Sequence, residues 1–194
     1  LIEERGRRLK VGHPLDQKSD VGPLVSEQQE ETVLSYINRG IEEGLKLVIG
    51  GQKLRGQDYD DGFYVAPTVF SDVPPDSALF KEEIFGPVLT VTEFSDEGEA
   101  VELANATQYG LAAGVWSGDQ ARLLRVAERI KAGVVWLNTY YTLPVEVPWG
   151  GYKQSGIGRN NSHLALEHYL EVKCIYFDSR GEKVKPYFRL VLGD

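Results

Sequence analysis

Between Val88 and Asn138 the chain alternates apolar strand-like runs with amphipathic helical stretches, and few folds accept that order. "VLTVTEF" (88–94), "AAGVW" (112–116) and "VVWLN" (134–138) are short and rich in aliphatic and β-branched residues, the composition of strands. A helix started by Ser95 and carrying Val101, Leu103 and Ala104 separates the first two. A second, over 119–131, gathers Leu123, Leu124, Ala127 and Ile130 and closes at Gly133. A helix between strands leaves room for a crossover, which makes the strands parallel and lays the helices on the sheet faces. The aliphatic continuity of "AGVVWL" predicts a strand buried on both sides. The fold class is α/β with a parallel sheet.

Upstream, Ser26 and Gln29 make a capping box before an apolar stripe at Val33, Ile37 and Ile41, with Gly44 closing the helix. "LKLVIGG" reads as a short buried strand and "GFYVAPTVF" as another. Downstream, "TYYTLPVEVPWGGYKQSGIGRNN" (139–161) breaks the pattern with aromatic, Gly and Pro residues, and long ordered loops in α/β domains usually carry function. A short helix around His163–Tyr169 precedes a final strand, "LEVKCIYF", with no crossover after it. The 194 residues suffice for a sizeable core. A formal charge of -8 disfavours nucleic acid or an anionic membrane surface as partner. "EERGRRLK" reads as the end of a helix already in progress, and there is no methionine, so the expectation is a chain that begins inside a larger fold.

Several chemistries fail on spacing. Gly156 and Gly158 give G-x-G after a loop rather than a strand, and Asn161 stands at the third glycine. Gly151 and Gly156 have P-loop spacing, but Ile157 occupies the place of the phosphate lysine. His163 and His168 are five apart, off the helix-face spacings, and no cysteine-rich zinc site can form. Cys174, the single cysteine, excludes an intrachain disulfide and suits a reducing cytosol. With no base nearby in sequence, it reads as a buried, inert thiol on a strand.

"KEEIFGPV" (81–88) is different: two carboxylates run into an apolar pair and then a Gly-Pro turn. At a strand start, Glu83 and Phe85, two apart, fall on one side of the backbone. From the residues alone, Glu83 as a solvated charge and Phe85 as ordinary core stay open, and Glu82 reads as solvated.

Together with "VGHPLDQKSDVGPLVS", "GFYVAPTVF", "YGLAAGVW", "AGVVWLN" and "VPWGGYKQSGIGR", in this order, that motif resembles the C-terminal part of an aldehyde dehydrogenase from Leu1 to Phe177. "PVEVPWGGYKQSGIGR" is most similar to the betaine-aldehyde and aminoaldehyde branch. The resemblance implies a parallel-sheet catalytic-domain portion over 1–169, with an oligomerisation strand and tail over 170–194. It implies NAD or NADP as cofactor, with Glu83 on the ribose hydroxyls beside the nicotinamide and Phe85 against the nicotinamide ring. Trp149, Tyr141 and Leu143, with Tyr140, would line the approach of a small aldehyde, their aromatic faces able to hold a quaternary ammonium; packing of the loop onto the sheet is the alternative. The backbone at Lys153 and Gly156 would line a monovalent-cation site.

The chain departs from the family at Asn160, where Glu commonly follows "G-R", and at "NSH" (161–163 is "NSH") where a glycine-containing turn is usual. The nucleophilic cysteine, the general-base glutamate, the oxyanion asparagine and the dinucleotide-binding strands of the family would all lie N-terminal to these residues. The expectation is a portion inactive by itself, working with the missing N-terminal part in a cytoplasmic homodimer or homotetramer. The alternative is a non-catalytic oligomerisation or interaction module that reuses the fold, joining other chains by strand addition around Val172–Phe177.

Overall fold

The structure, a computed structural model, describes residues 1–177. Helix α1 (Ile2–Gly6) is short and exposed. Helix α2 (Glu27–Glu42) starts where the sequence places it: the Ser26 hydroxyl accepts the Gln29 backbone N–H at 3.2 Å. Its buried face runs through Val33, Ile37 and Gly40. Ile41, expected in that stripe, is 46% exposed because position 40 already occupies the inward direction.

The first sheet has the order β1 (Lys46–Ile49), β2 (Thr68–Ser71), β3 (Val88–Thr90). Strand β1 lies antiparallel to β2, and β2 parallel to β3 with Thr68 opposite Val88. Helix α3 (Ala78–Lys81) lies in the β2–β3 connection. Val33, Ile37, Phe70 and Val73 are fully enclosed between α2 and this sheet, with Leu79 and Ile84 packed beside them. Three strand expectations shrink, the first being β3, which stops at Thr90 rather than at 94. Lys46 and Leu47 are exposed, since β1 is an edge strand. The run 62–70 forms a strand only from Thr68, because Pro67 has no N–H for a ladder; Val65 before it makes a lone bridge to Lys53.

The second half contains α4 (Glu97–Asn105), β4 (Tyr109–Gly110), β5 (Ala112–Val115), α5 (Gln120–Arg129), β6 (Val134–Leu137) and β7 (Tyr152–Lys153). Asp96, not Ser95, caps α4 by accepting the Glu99 N–H, while Ser95 donates its N–H and its hydroxyl to the Glu99 carboxylate. Asp119 caps α5 through two N–H groups. That helix ends at Arg129, so Gly133 is not its terminator. A Cβ at 133 would fall 1.6 Å from the Gly150 carbonyl oxygen, and the glycine permits that close approach instead.

Strands β5 and β6 pair in parallel over Ala112–Val115 and Val134–Leu137, as expected of a strand–helix–strand unit. They do not continue the first sheet, however. The described strands fall into three sheets, with β4 antiparallel to β7 in the third. Apolar periodicity sets strand and helix type; which edges meet is a long-range property that it does not encode. Strand β6 is also only half-buried, apart from Trp136, rather than covered on both faces.

A 3₁₀ helix (His163–His168) occupies the place of the short helix read there. Residues 170–177 form no strand, and Cys174, expected to be buried, is exposed along with Val172, Ile175, Tyr176 and Phe177. A strand exists through a partner's N–H and C=O groups, and none of the described residues supplies them here. The tail from 178 onward lies outside the described residues. Among them, no helix is long and apolar enough to cross a membrane.

Candidate functional site

The turn 82–87 is built where α3 stops and β3 has not begun. Glu82 already has extended backbone, at φ -106° and ψ 152°. Residues 83–85 belong to no strand, and Phe85 adopts φ 53°. The strand-start alternation expected of Glu83 and Phe85 is therefore replaced by a left-handed kink, a conformation that non-glycine residues adopt only at a cost. The kink packs against α2. Tyr36 donates its hydroxyl to Glu82 Oε2 at 2.6 Å, so Glu82 is not merely solvated. That hydrogen bond is the main cause lifting the Tyr36 phenol above its ordinary value, with burial second. Gly86 sits against Val33, where a Cβ would come within 2.5 Å of Val33 Cγ2.

The Phe85 ring is 75% exposed rather than core. Glu83 is exposed, and among the described residues no side chain or backbone N–H engages its carboxylate. It borders a cleft of about 300 Å³ together with Thr107, Gly110, Lys131 and Ser155. Both groups are thus available to something outside the described residues.

The aromatic loop is partly packed down. Trp149 lies 6.2 Å from Trp136 of β6, centroid to centroid, and Tyr140 lies 4.8 Å from the same ring and 6.3 Å from Trp116. The Trp136 indole N–H donates to the Thr142 carbonyl at 2.8 Å. Trp149 also exchanges both backbone hydrogen bonds with Asn160. It borders a second cleft, of about 410 Å³, with Gly156, Arg159 and His168. Tyr141, at φ 62° and 80% exposed, and Leu143, half-buried, line neither cleft. The two clefts share Leu111 and Ser155 as walls. Sequence reading singled out neither residue; Ser155 matters because its Oγ accepts the Gly110 N–H at 3.0 Å and fastens the glycine-rich loop to β4.

The Lys153 side chain donates to the carbonyls of Asn105 and Thr107, both at 2.9 Å, and so neutralises the C-terminal end of α4. Lys153, at φ 54°, lies inside the turn closed by the Ser155 N–H on the Tyr152 carbonyl, and Gly156 follows that turn directly. Arg159 binds the Gly151 and Gly158 carbonyls and lies 5.5 Å above the Tyr152 ring. Among the described residues there is no cluster of His, Cys, Asp and Glu that could hold a metal. A roomier cleft of about 850 Å³, bordered by Lys10, His13, Lys18 and Tyr59, lies apart from every predicted site residue.

The model of the aldehyde dehydrogenase family matches residues 1–175. A betaine aldehyde dehydrogenase of Brucella anthropi is 50% identical over 186 residues, covering 96% of this chain and 38% of that protein. One from Brucella ovis is 48% identical with the same coverage. Among solved structures, an aldehyde dehydrogenase of Bacillus cereus in complex with NAD+ superposes with a TM-score of 0.87 at 42% identity, over 92% of this chain and 36% of the other. A betaine aldehyde dehydrogenase of Staphylococcus aureus in complex with NAD+ gives 0.83 at 38% identity, over 87% and 33%. The chain spans about 38% of the length of the curated relatives it matches.

Proposed function

Because the chain belongs to the aldehyde dehydrogenase family, we propose that it is the C-terminal portion of an enzyme that oxidises an aldehyde to a carboxylate with NAD or NADP. Residues 1–169 are part of the catalytic domain in this reading, and 170–194 the oligomerisation strand and tail. The similarity to betaine aldehyde dehydrogenases supports a cationic or amino-bearing aldehyde as substrate. By itself the chain is inactive, since its one cysteine lies on the exposed segment after the 3₁₀ helix, away from both clefts.

The observation that carries this reading is the carboxylate of Glu83, unengaged among the described residues, at the rim of a cleft and on a turn anchored by α2. A carboxylate with both oxygens free fits two vicinal hydroxyls of a ribose, and the exposed Phe85 ring fits a flat heterocycle. When bound, the nicotinamide supplies hydride-accepting chemistry. What this chain contributes is its orientation: Glu83 fixes the ribose, Phe85 limits ring movement, and Trp149 borders the neighbouring cleft where an aldehyde would enter. An aromatic face there can hold a quaternary ammonium. The carbonyls of Lys153 and Gly156 could supply part of an oxygen shell for a monovalent cation, a hard ion that takes such ligands.

In a full-length enzyme, Glu83→Gln is expected to raise the NAD KM about tenfold, the worth of one charge-assisted hydrogen bond. Unchanged KM and kcat would remove Glu83 from the cofactor. A second reading, an interaction module, draws on the exposed apolar residues Val172, Ile175, Tyr176 and Phe177. A native polypeptide of 21.6 kDa lacking NAD-dependent betaine-aldehyde oxidation would favour it over the enzyme.

A further inference from the structure

The turn that bears Glu83 and Phe85 does not hold its own shape. A non-glycine residue at φ 53° persists only when its surroundings over-determine it, and the surroundings here are one ridge of α2. Gln29, Val33 and Tyr36 stand at i, i+4 and i+7, the spacing that aligns side chains along a helix face. Tyr36 takes Glu82, Val33 fills the space that Gly86 leaves, and Gln29 takes the middle of the turn.

Gln29 occupies the capping-box position, from which its side chain would ordinarily reach back to the Ser26 N–H. It does not. Its amide nitrogen instead donates to the carbonyls of Ile84, at 3.0 Å, and Phe85, at 3.1 Å, 55 and 56 residues along the chain. A carboxamide has two N–H donors, one for each of these acceptors. Glu83 is thereby bracketed, with Glu82 held on one side and the Ile84 and Phe85 carbonyls on the other, while no group among the described residues engages its own carboxylate.

We infer that Gln29, seconded by Tyr36, is a positioning residue for the cofactor end of the site: it holds the kinked backbone so that Glu83 and Phe85 are presented before any ligand arrives. The inference rests on the cofactor reading of Glu83 given above. Its physical content is preorganisation: a turn already fixed loses less conformational entropy on binding. Glutamate is nearly isosteric with glutamine, yet when ionised it only accepts hydrogen bonds, so at position 29 it would face two carbonyl oxygens with no proton to share.

The test uses the full-length enzyme, with NAD affinity measured by calorimetry and hydrogen exchange measured without cofactor. Gln29→Glu is expected to raise the NAD Kd about tenfold, the worth of one to two net hydrogen bonds, with the aldehyde KM within about twofold. Exchange should quicken in the peptide covering 82–88 and stay unchanged over 33–41. In a Glu83→Gln background, adding Gln29→Glu should cost less than it does alone, because the two act through one contact. An unchanged NAD Kd, or a loss that adds fully to that of Glu83→Gln, overturns the inference; so does exchange quickened evenly along α2, the mark of a merely structural role. NAD affinity lost with Glu83→Gln but kept with Gln29→Glu sinks the positioning role alone, whereas affinity kept in both sinks the cofactor reading. If Gln29→Glu fails to fold, Tyr36→Phe carries the same test: about a threefold rise in Kd is expected, and no change overturns it.

Discussion

Strand β2 reads T-V-F-S and strand β6 reads V-V-W-L, so by composition β6 is the one made for burial. The structure reverses this. Three of the four β2 residues are buried, polar Thr68 among them, whereas β6 buries only Trp136. Both strands belong to parallel pairs with a helix in the connection. What separates them is cover. Strand β2 is central in its sheet, α2 and α3 close over it, and Thr68 is satisfied by donating its hydroxyl to the Ala66 carbonyl and accepting the Gly51 N–H. Strands β5 and β6 form a sheet of two, with α5 on one side contributing Leu123 and Val126. Burial thus follows the number of elements that close over a strand, not the hydrophobicity of the strand. Under the proposed function, the rest of the enzyme supplies the cover that β6 lacks.

Three measurements would break or sharpen that contrast. Phe70→Ala, in the enclosed half, should cost about 3–5 kcal/mol in chemical denaturation; a loss near that of an exposed residue would mean the first core is not sealed. Leu137→Ala, at the end of half-buried β6, should cost about 1–2 kcal/mol in this chain and about 2–4 kcal/mol in a full-length enzyme. Equal costs in both would show that no further element covers β6. The smallest effect is electrostatic and belongs to the second half. The Arg125 guanidinium, chiefly, holds Glu97 below its ordinary value of 4.5, and the Ser95 N–H does the same for Glu99. A carboxylate with a depressed folded-state pKa stabilises above its unfolded value, and that contribution is lost as pH falls through the folded one. Acid titration followed by circular dichroism should therefore loosen α4 and α5 below about pH 4.5, and Glu97→Gln should blunt the transition. An unaltered transition would assign acid sensitivity elsewhere.

The candidate site was legible in unequal parts. Glu83 and Phe85 stand out because a carboxylate and a ring beside Gly-Pro are unusual, and both prove exposed, Glu83 beside a cleft. The expectation that strand alternation aligns them failed, since the backbone kinks at Phe85. Gln29 was read correctly as an N-terminal helix residue, yet its side-chain partner lies 55 residues away and leaves no local signal. Trp149 reaches a cleft, while Tyr140 packs on β6 and Tyr141 projects outward, and nothing in "TYYT" distinguishes the two rings.

Local chemistry alone determined helix α2 with its cap at Ser26, the helical character of α4 and α5, and the strand–helix–strand order of β5 and β6, because each rests on residues a few positions apart or on a short periodic pattern. Tertiary structure alone decided that the strands divide among separate sheets, that β6 stays half-covered, and that α2 carries the turn of Glu83. Those outcomes depend on which surfaces meet across long stretches of chain, where hydrogen-bond partners and close contacts, not the order of residues, choose between alternatives.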